Sequence, residues 1–225
     1  RVFALGVPMP EPIFLEADPK PLGGAFLIMR EVENAQPAGT YFPEERAYLG
    51  HTMGPRFGYE VAAALALLHG KTKMDGTSDS GTEEAKMLDE LQKEWRSHPG
   101  AALTIGMDLG IAWLRANPLP PGRPQCLIHG DVGAHNMMSR DGHLAALLDW
   151  ELAKSGDPAE DIAQAKMMLL PDTMPWVEFA QAYVEQGGLP AAIDEHAVGY
   201  YAVRTYLKHS VLNFRLWDYF TQGKG

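Results

Sequence analysis

The feature that most constrains this chain is the string CLIHGDVGAHNMM, Cys126 to Met138, followed from Leu147 by LLDWE. An apolar run leads straight into His129, Gly130 and Asp131, so the carboxylate of Asp131 closes a short buried strand. A carboxylate in that position is poorly solvated unless it faces a cleft or is met by donors. Asn136 follows five positions later, and Asp149 closes a second apolar run. The pattern predicts two short strands, around Cys126–His129 and Leu144–Asp149, set side by side as a small hairpin with SRDGH turning the chain into the second. A fold that accommodates this string must bring three oxygen-bearing side chains to one place.

Those residue types suit a particular chemistry. Asn136 offers a neutral amide oxygen and Asp149 a carboxylate, a small set of hard ligands. Magnesium accepts such a set because it keeps several waters and takes further oxygens from substrate phosphates. Asp131 would then act as a base toward a hydroxyl, which is the division of labour used in phosphoryl transfer. Read singly, His129, Asp131 and Asn136 could each do no more than tie down a β-turn. Read together, as H-G-D-x-x-x-x-N followed by L-D-W-E, they form a long ordered string that turn chemistry alone does not require.

HGDVGAHN and LLDWELAKSGDPAEDIA resemble the catalytic loop and metal segment of the aminoglycoside phosphotransferase and choline kinase-like family, whose members share the protein-kinase fold. The likeness is specific over Leu127–Ala163 and looser elsewhere. It implies an α+β, protein-kinase-like molecule: a mainly helical C-lobe with a small catalytic β-hairpin, plus the last N-lobe strands and the hinge. On this reading residues 1–33 are the end of the N-lobe with the hinge, and residues 34–225 the C-lobe. The resemblance makes Asp131 the catalytic base and Asn136 and Asp149 the magnesium ligands. It gives His129 and Asp161 the support of the loop, and Asp157 a turn or cap. Met29 falls at the back of the adenine pocket, with the backbone from Arg30 to Val32 along the nucleobase edge. The implied reaction moves the γ-phosphoryl group of ATP or GTP to a hydroxyl of a small molecule. A nucleotide-covering loop and a strand lysine have no counterpart in the sequence. The resemblance places them before Arg1, and the 225 residues by themselves are expected to be inactive.

The remaining segments fit such a molecule. PIFLEAD and AFLIMREV read as strands joined through PKPLGG. Helices are expected over 56–69, 83–95, 102–117, 160–170, 175–186 and 191–220, with GKTKMDGTSDSG (70–81) and the NAQPAGTYFPEE stretch as loops. Strands and helices do not alternate steadily, which argues against a doubly wound sheet. A formal net charge of −10 argues against a nucleic-acid partner, which calls for a basic face. No apolar run approaches the roughly 20 residues of a membrane span. With no signal peptide in the sequence the cytoplasm is the expected compartment, and no feature specifies an oligomer.

Rival motifs fail their context. HGKT, His69–Thr72, ends like a phosphate-binding loop, but Leu65 stands where the first glycine belongs and a helix precedes it. The single cysteine, Cys126, excludes an internal disulfide and sits in an apolar strand as a structural thiol. The histidines lack zinc-ligand spacing. H-G-D and D-W-E stand in place of H-R-D and D-F-G, with no A-P-E after them, which disfavours a protein kinase. The aromatic stretch YYAVRTYLKHSVLNFRLWDYF reads first as core, with pocket lining as the second use. The functional alternative is a kinase-like module that binds nucleotide or metabolite without turnover.

Overall fold

The computed structural model of the protein describes residues 2–40, 52–74, 80–98, 101, 105–221 and 223. Arg1, residues 41–45 of the expected NAQPAGTYFPEE loop, residues 75–79 of the expected GKTKMDGTSDSG loop, and the start of the helix expected from Ala102 lie outside the described residues. Strand β1 (Pro12–Glu16) pairs antiparallel with β2 (Phe26–Met29), Leu15 facing Leu27 and Glu16 facing Phe26. Their connection closes through Gly23, whose N–H donates to the Pro19 carbonyl at 2.7 Å while its φ of +83° suits a residue without a side chain. β3 (Gln36–Pro37) is an edge strand, where the missing N–H of Pro37 costs no ladder bond.

Helix α1 (Phe57–Lys71) is Ala- and Leu-rich and buried on most sides, with Phe57, Val61, Leu65 and Leu68 sealed from solvent. Sealing such side chains contributes about 1.5–3 kcal/mol each, which is why a helix hydrophobic nearly all round becomes the centre of the C-terminal core. α2 (Ser80–Ser97) and α3 (Gly106–Ala116) follow. Then β4 (Cys126–Ile128) leads into the loop, and β5 (Met137–Arg140) and β6 (His143–Leu147) leave it. Asp141 and Gly142, at φ +52° and +82°, make the two-residue turn between β5 and β6. Left-handed backbone at both positions matches the twist of the strands it joins.

The expected strand pairing needs correcting here. Cys126–Ile128 does not lie beside the strand at 144–147. It pairs with β7 (Lys154–Gly156), while β6 pairs with β5, a strand absent from the sequence reading. Met137–Arg140 reads MMSR, too short and too weakly alternating to be seen as a strand, and its partners supply the ladder. The loop from His129 to Asn136 therefore spans two small sheets.

Helix α4 (Ala159–Met168) stops at Leu169, and Pro171 opens the separate short turn α5 (Leu170–Thr173). The single helix expected over 160–170 is thus divided by a residue that cannot continue it. α6 (Trp176–Glu185) packs on α1, and α7 (Glu195–Thr221) packs on α4 and α3. The N-terminus of α7 is capped by Asp194, whose Oδ1 accepts the Ala197 N–H at 2.9 Å. The result is mixed α+β and kinase-like, mainly helical with small sheets. Among the described residues no helix is long and apolar enough to cross a membrane.

Candidate active site

The loop after β4 is held from beneath by two side chains of α4. Asp161 accepts the N–H of His129 through Oδ2 and the N–H of Gly130 through Oδ1, both at 2.8 Å. One turn along, Gln164 accepts the Val132 N–H and donates to the Gly130 carbonyl, again both at 2.8 Å. Residues three apart on a helix share a face, so a single helix clamps three residues of the loop, on both sides of Asp131. Gly130 is required within the clamp: its φ is +85°, and a Cβ would lie 2.5 Å from the Leu152 carbonyl oxygen.

Asp161 is itself fixed by His69, whose Nε2 lies 3.0 Å from Oδ2 with both side chains fully buried. The other ring nitrogen meets the Tyr183 hydroxyl at 2.9 Å. Every partner is satisfied when the Tyr183 O–H donates to Nδ1 and Nε2–H donates to Asp161. Burial pushes the Asp161 carboxyl upward, but the hydrogen bond and electrostatic pull of His69, with His129 and the Gly130 N–H, outweigh it and hold the group below the usual range.

Above the clamp, Asp131 reaches the surface of the loop. Its Oδ2 accepts the side-chain amide of Asn136 at 2.8 Å and faces His135 Nε2 at 3.4 Å. Burial acts to raise its pKa, yet the bonds from His135 and Asn136 and the influence of His209 keep it low, so Asp131 is ionised at neutral pH. Asn136 also donates to the Asp131 carbonyl at 3.1 Å, which leaves its Oδ1 uncommitted among the described residues. The Asn136 carbonyl accepts the Leu148 N–H, and the Leu148 carbonyl accepts from His129 Nε2, each at 2.8 Å. Leu148 thereby stitches LLDWE to the loop, and the Trp150 ring leans on His129 with centroids 4.6 Å apart. Asp149, next in the chain, is exposed in left-handed backbone and makes no hydrogen bond or ion pair with a described residue.

The fit of a magnesium ion rests on this donor set. Among the described residues no group of three or more His, Cys, Asp or Glu gathers closely enough to hold a metal alone. An amide oxygen and an uncommitted carboxylate held near each other through Leu148 suit a cation that completes its shell with water and phosphate.

Met29 ends β2, and the Arg30 N–H is spent on the Glu11 carbonyl at 2.8 Å, with an ion pair between the same side chains. Among the described residues, neither the Arg30 carbonyl nor the Val32 N–H is committed to other backbone. Two bonds tie this region to the loop's strands: Leu147 N–H to the Pro8 carbonyl, and Ala38 N–H to the Met137 carbonyl.

Asp157 caps α4 through the Ala159 N–H and pairs with Arg123. HGKT forms the end of α1, with Thr72 bonded to Leu68 and Leu127. Burial pushes the Cys126 thiol far up, which makes it inert. His69, Gln164, His135 and His209 were not expected at the site. Only Gln164 left a signal in the sequence, its three-residue spacing from Asp161. A cavity of about 450 Å³ opens against Asp131, walled by α7 through Thr205, Lys208 and His209. The aromatic stretch of α7 thus divides its work, Tyr200 in the core and the next turns on the cavity.

The family model described as "Phosphotransferase enzyme family" matches residues 2–200. A curated relative, acyl-CoA dehydrogenase family member 11 of Mus musculus, is 24% identical over 97% of this chain, and the chain spans only 28% of that relative's length. The fold is shared with a putative aminoglycoside phosphotransferase from Ralstonia eutropha, at TM-score 0.62 and 19% identity, covering 96% of this chain and 72% of the other. It is shared also with a GDP complex of aminoglycoside 2'-phosphotransferase-IIIa, at TM-score 0.62 and 16% identity, covering 94% and 71%.

Proposed function

This chain belongs to the phosphotransferase enzyme family, and we propose from that premise that it serves a small-molecule kinase acting on a hydroxyl acceptor. The observation that carries the reading is Asp131: an ionised carboxylate on a clamped backbone, bonded to Asn136 and forming the wall of a cavity. In the proposed step the acceptor oxygen bonds to the γ-phosphorus while the oxygen bridging β and γ leaves on the nucleoside diphosphate. The hydroxyl proton passes to the Asp131 carboxylate and then to solvent. Because the low pKa of Asp131 makes it a weak base, much of its contribution is to orient the hydroxyl, as a loose transition state requires.

Asn136 Oδ1 and the Asp149 carboxylate would hold magnesium, which when bound neutralises charge on the phosphates. Met29 would back the nucleobase pocket, with the Arg30 carbonyl and Val32 N–H on the base edge. His129 and Asp161 act on the loop rather than on the substrate. The nucleotide-bound relative with GDP supports a nucleoside triphosphate donor, ATP or GTP. The same proposal includes the hinge boundary after residue 33, the cytoplasmic location, and negligible turnover by the 225 residues without a phosphate-binding lysine and covering loop. The test is Asp131→Asn in the full-length protein: loss of turnover with nucleotide affinity kept supports the role, and unchanged turnover removes it.

A further inference from the structure

We propose that the acceptor held against Asp131 is a hydroxylated anion, bound through a carboxylate or phosphate on Lys208, and not a polycation. The proposal rests on the phosphotransferase reading and names its acceptor class. One face of α7 builds the cavity wall: Thr205, Lys208, His209, Leu212 and Arg215 recur at the spacing of successive helical turns. The cavity has two carboxylates, Asp131 and Glu94. Glu94 is neutralised by an ion pair with Arg215, and Asp131 is occupied by Asn136 and His135. A cationic acceptor would therefore find both carboxylates already engaged, and it would face Lys208.

The Lys208 side chain makes no ion pair or hydrogen bond with any described residue. Glu160, whose charge reaches it, is already held by Arg204 and Lys154. Partial burial presses its pKa downward, and the pull of Glu160 and Glu84 does not offset it against the burial and the nearby cations Arg204 and Lys154. Lys208 and His209 line the same cavity as Asp131, and His209 and Asp131 influence each other electrostatically. Leu91, Leu152 and Leu212 supply an apolar wall between the charged groups. The geometry suits a short molecule with a hydroxyl at Asp131, a carbon body on the leucines and an oxyanion on Lys208.

The test uses four compounds that share one hydroxylated eight-carbon chain: β-hydroxyoctanoate, its primary amide, the matching amino alcohol and the matching diol monophosphate. Titration calorimetry on the 225-residue chain should find the anions bound about tenfold or more tightly than the amide, with the amino alcohol weakest. Carboxylate against monophosphate then identifies which oxyanion the site prefers. Lys208→Met should bring the anions to within about threefold of the amide, and Lys208→Arg should retain most of the preference. An amino alcohol bound as tightly as the carboxylate, an anion preference untouched by Lys208→Met, or no binding by a folded chain would each overturn the proposal. Nucleotide-dependent transfer is read separately, in the full-length protein. Transfer to the amino alcohol that ignores Lys208→Met overturns the anion site and leaves phosphotransfer standing. A Lys208-dependent anion preference with no transfer to any acceptor supports the site and overturns phosphotransfer.

Discussion

Asp161 and His69 meet at 3.0 Å with both side chains sealed from solvent, although they lie on helices far apart in the chain. The pair joins the central helix α1 to the loop that carries Asp131. Asp161→Asn preserves the shape but turns an amide toward a backbone N–H, leaving a donor unmatched. We expect a loss of about 3–5 kcal/mol, as for a buried pair missing one partner. Urea denaturation checks it, and a loss under about 1 kcal/mol would mean the clamp is dispensable.

The same carboxylate makes stability depend on pH. Its folded pKa is held below the usual range, so its contribution is complete above the unfolded value of about 3.9 and is lost as pH falls through the lower folded value. The stability gap between the wild type and Asp161→Asn should therefore shrink as pH drops from neutral to below about 4. Urea midpoints across that range read it directly; a constant gap would contradict the assignment.

Asp131→Asn in the full-length protein should lower kcat by about 10²–10⁴-fold and leave nucleotide affinity nearly unchanged. Steady-state kinetics with nucleotide binding measured in parallel separate the two. A change confined to nucleotide affinity would move Asp131 from base to metal ligand.

Asp149 sits at φ +60°, a conformation that Asn tolerates and Ala resists. Asp149→Asn should therefore keep the fold, with a melting temperature near that of the wild type, while abolishing magnesium-dependent nucleotide binding. Calorimetry with and without magnesium checks it, and unaltered affinity excludes Asp149 as a ligand.

Gly130→Ala should destabilise the loop by about 1–3 kcal/mol from backbone strain alone, with added cost where the new methyl meets the Leu152 carbonyl. Thermal unfolding reads the stability, and a neutral substitution would show that the loop has another low-energy path.

What the sequence alone determined is local or strongly patterned. The family and the kinase-like α+β class follow from an ordered string within one stretch of chain, and the Asp141-Gly142 turn from its own backbone preference. Helices announced themselves by period, with boundaries shifted where Pro171 or the Asp194 cap intervened. Asp131 and Asn136 bond to each other across five residues, so their neighbourhood is readable along the chain. Tertiary structure decided what depends on distant partners. β4 pairs with β7 rather than β6, because short apolar strands carry no label for their neighbours. His69 reaches Asp161 across 92 positions, and Lys208 faces the cavity only because α7 folds back over the loop. Such contacts arise from packing many helices around one core, and no spacing within a segment records which of its faces another segment will cover.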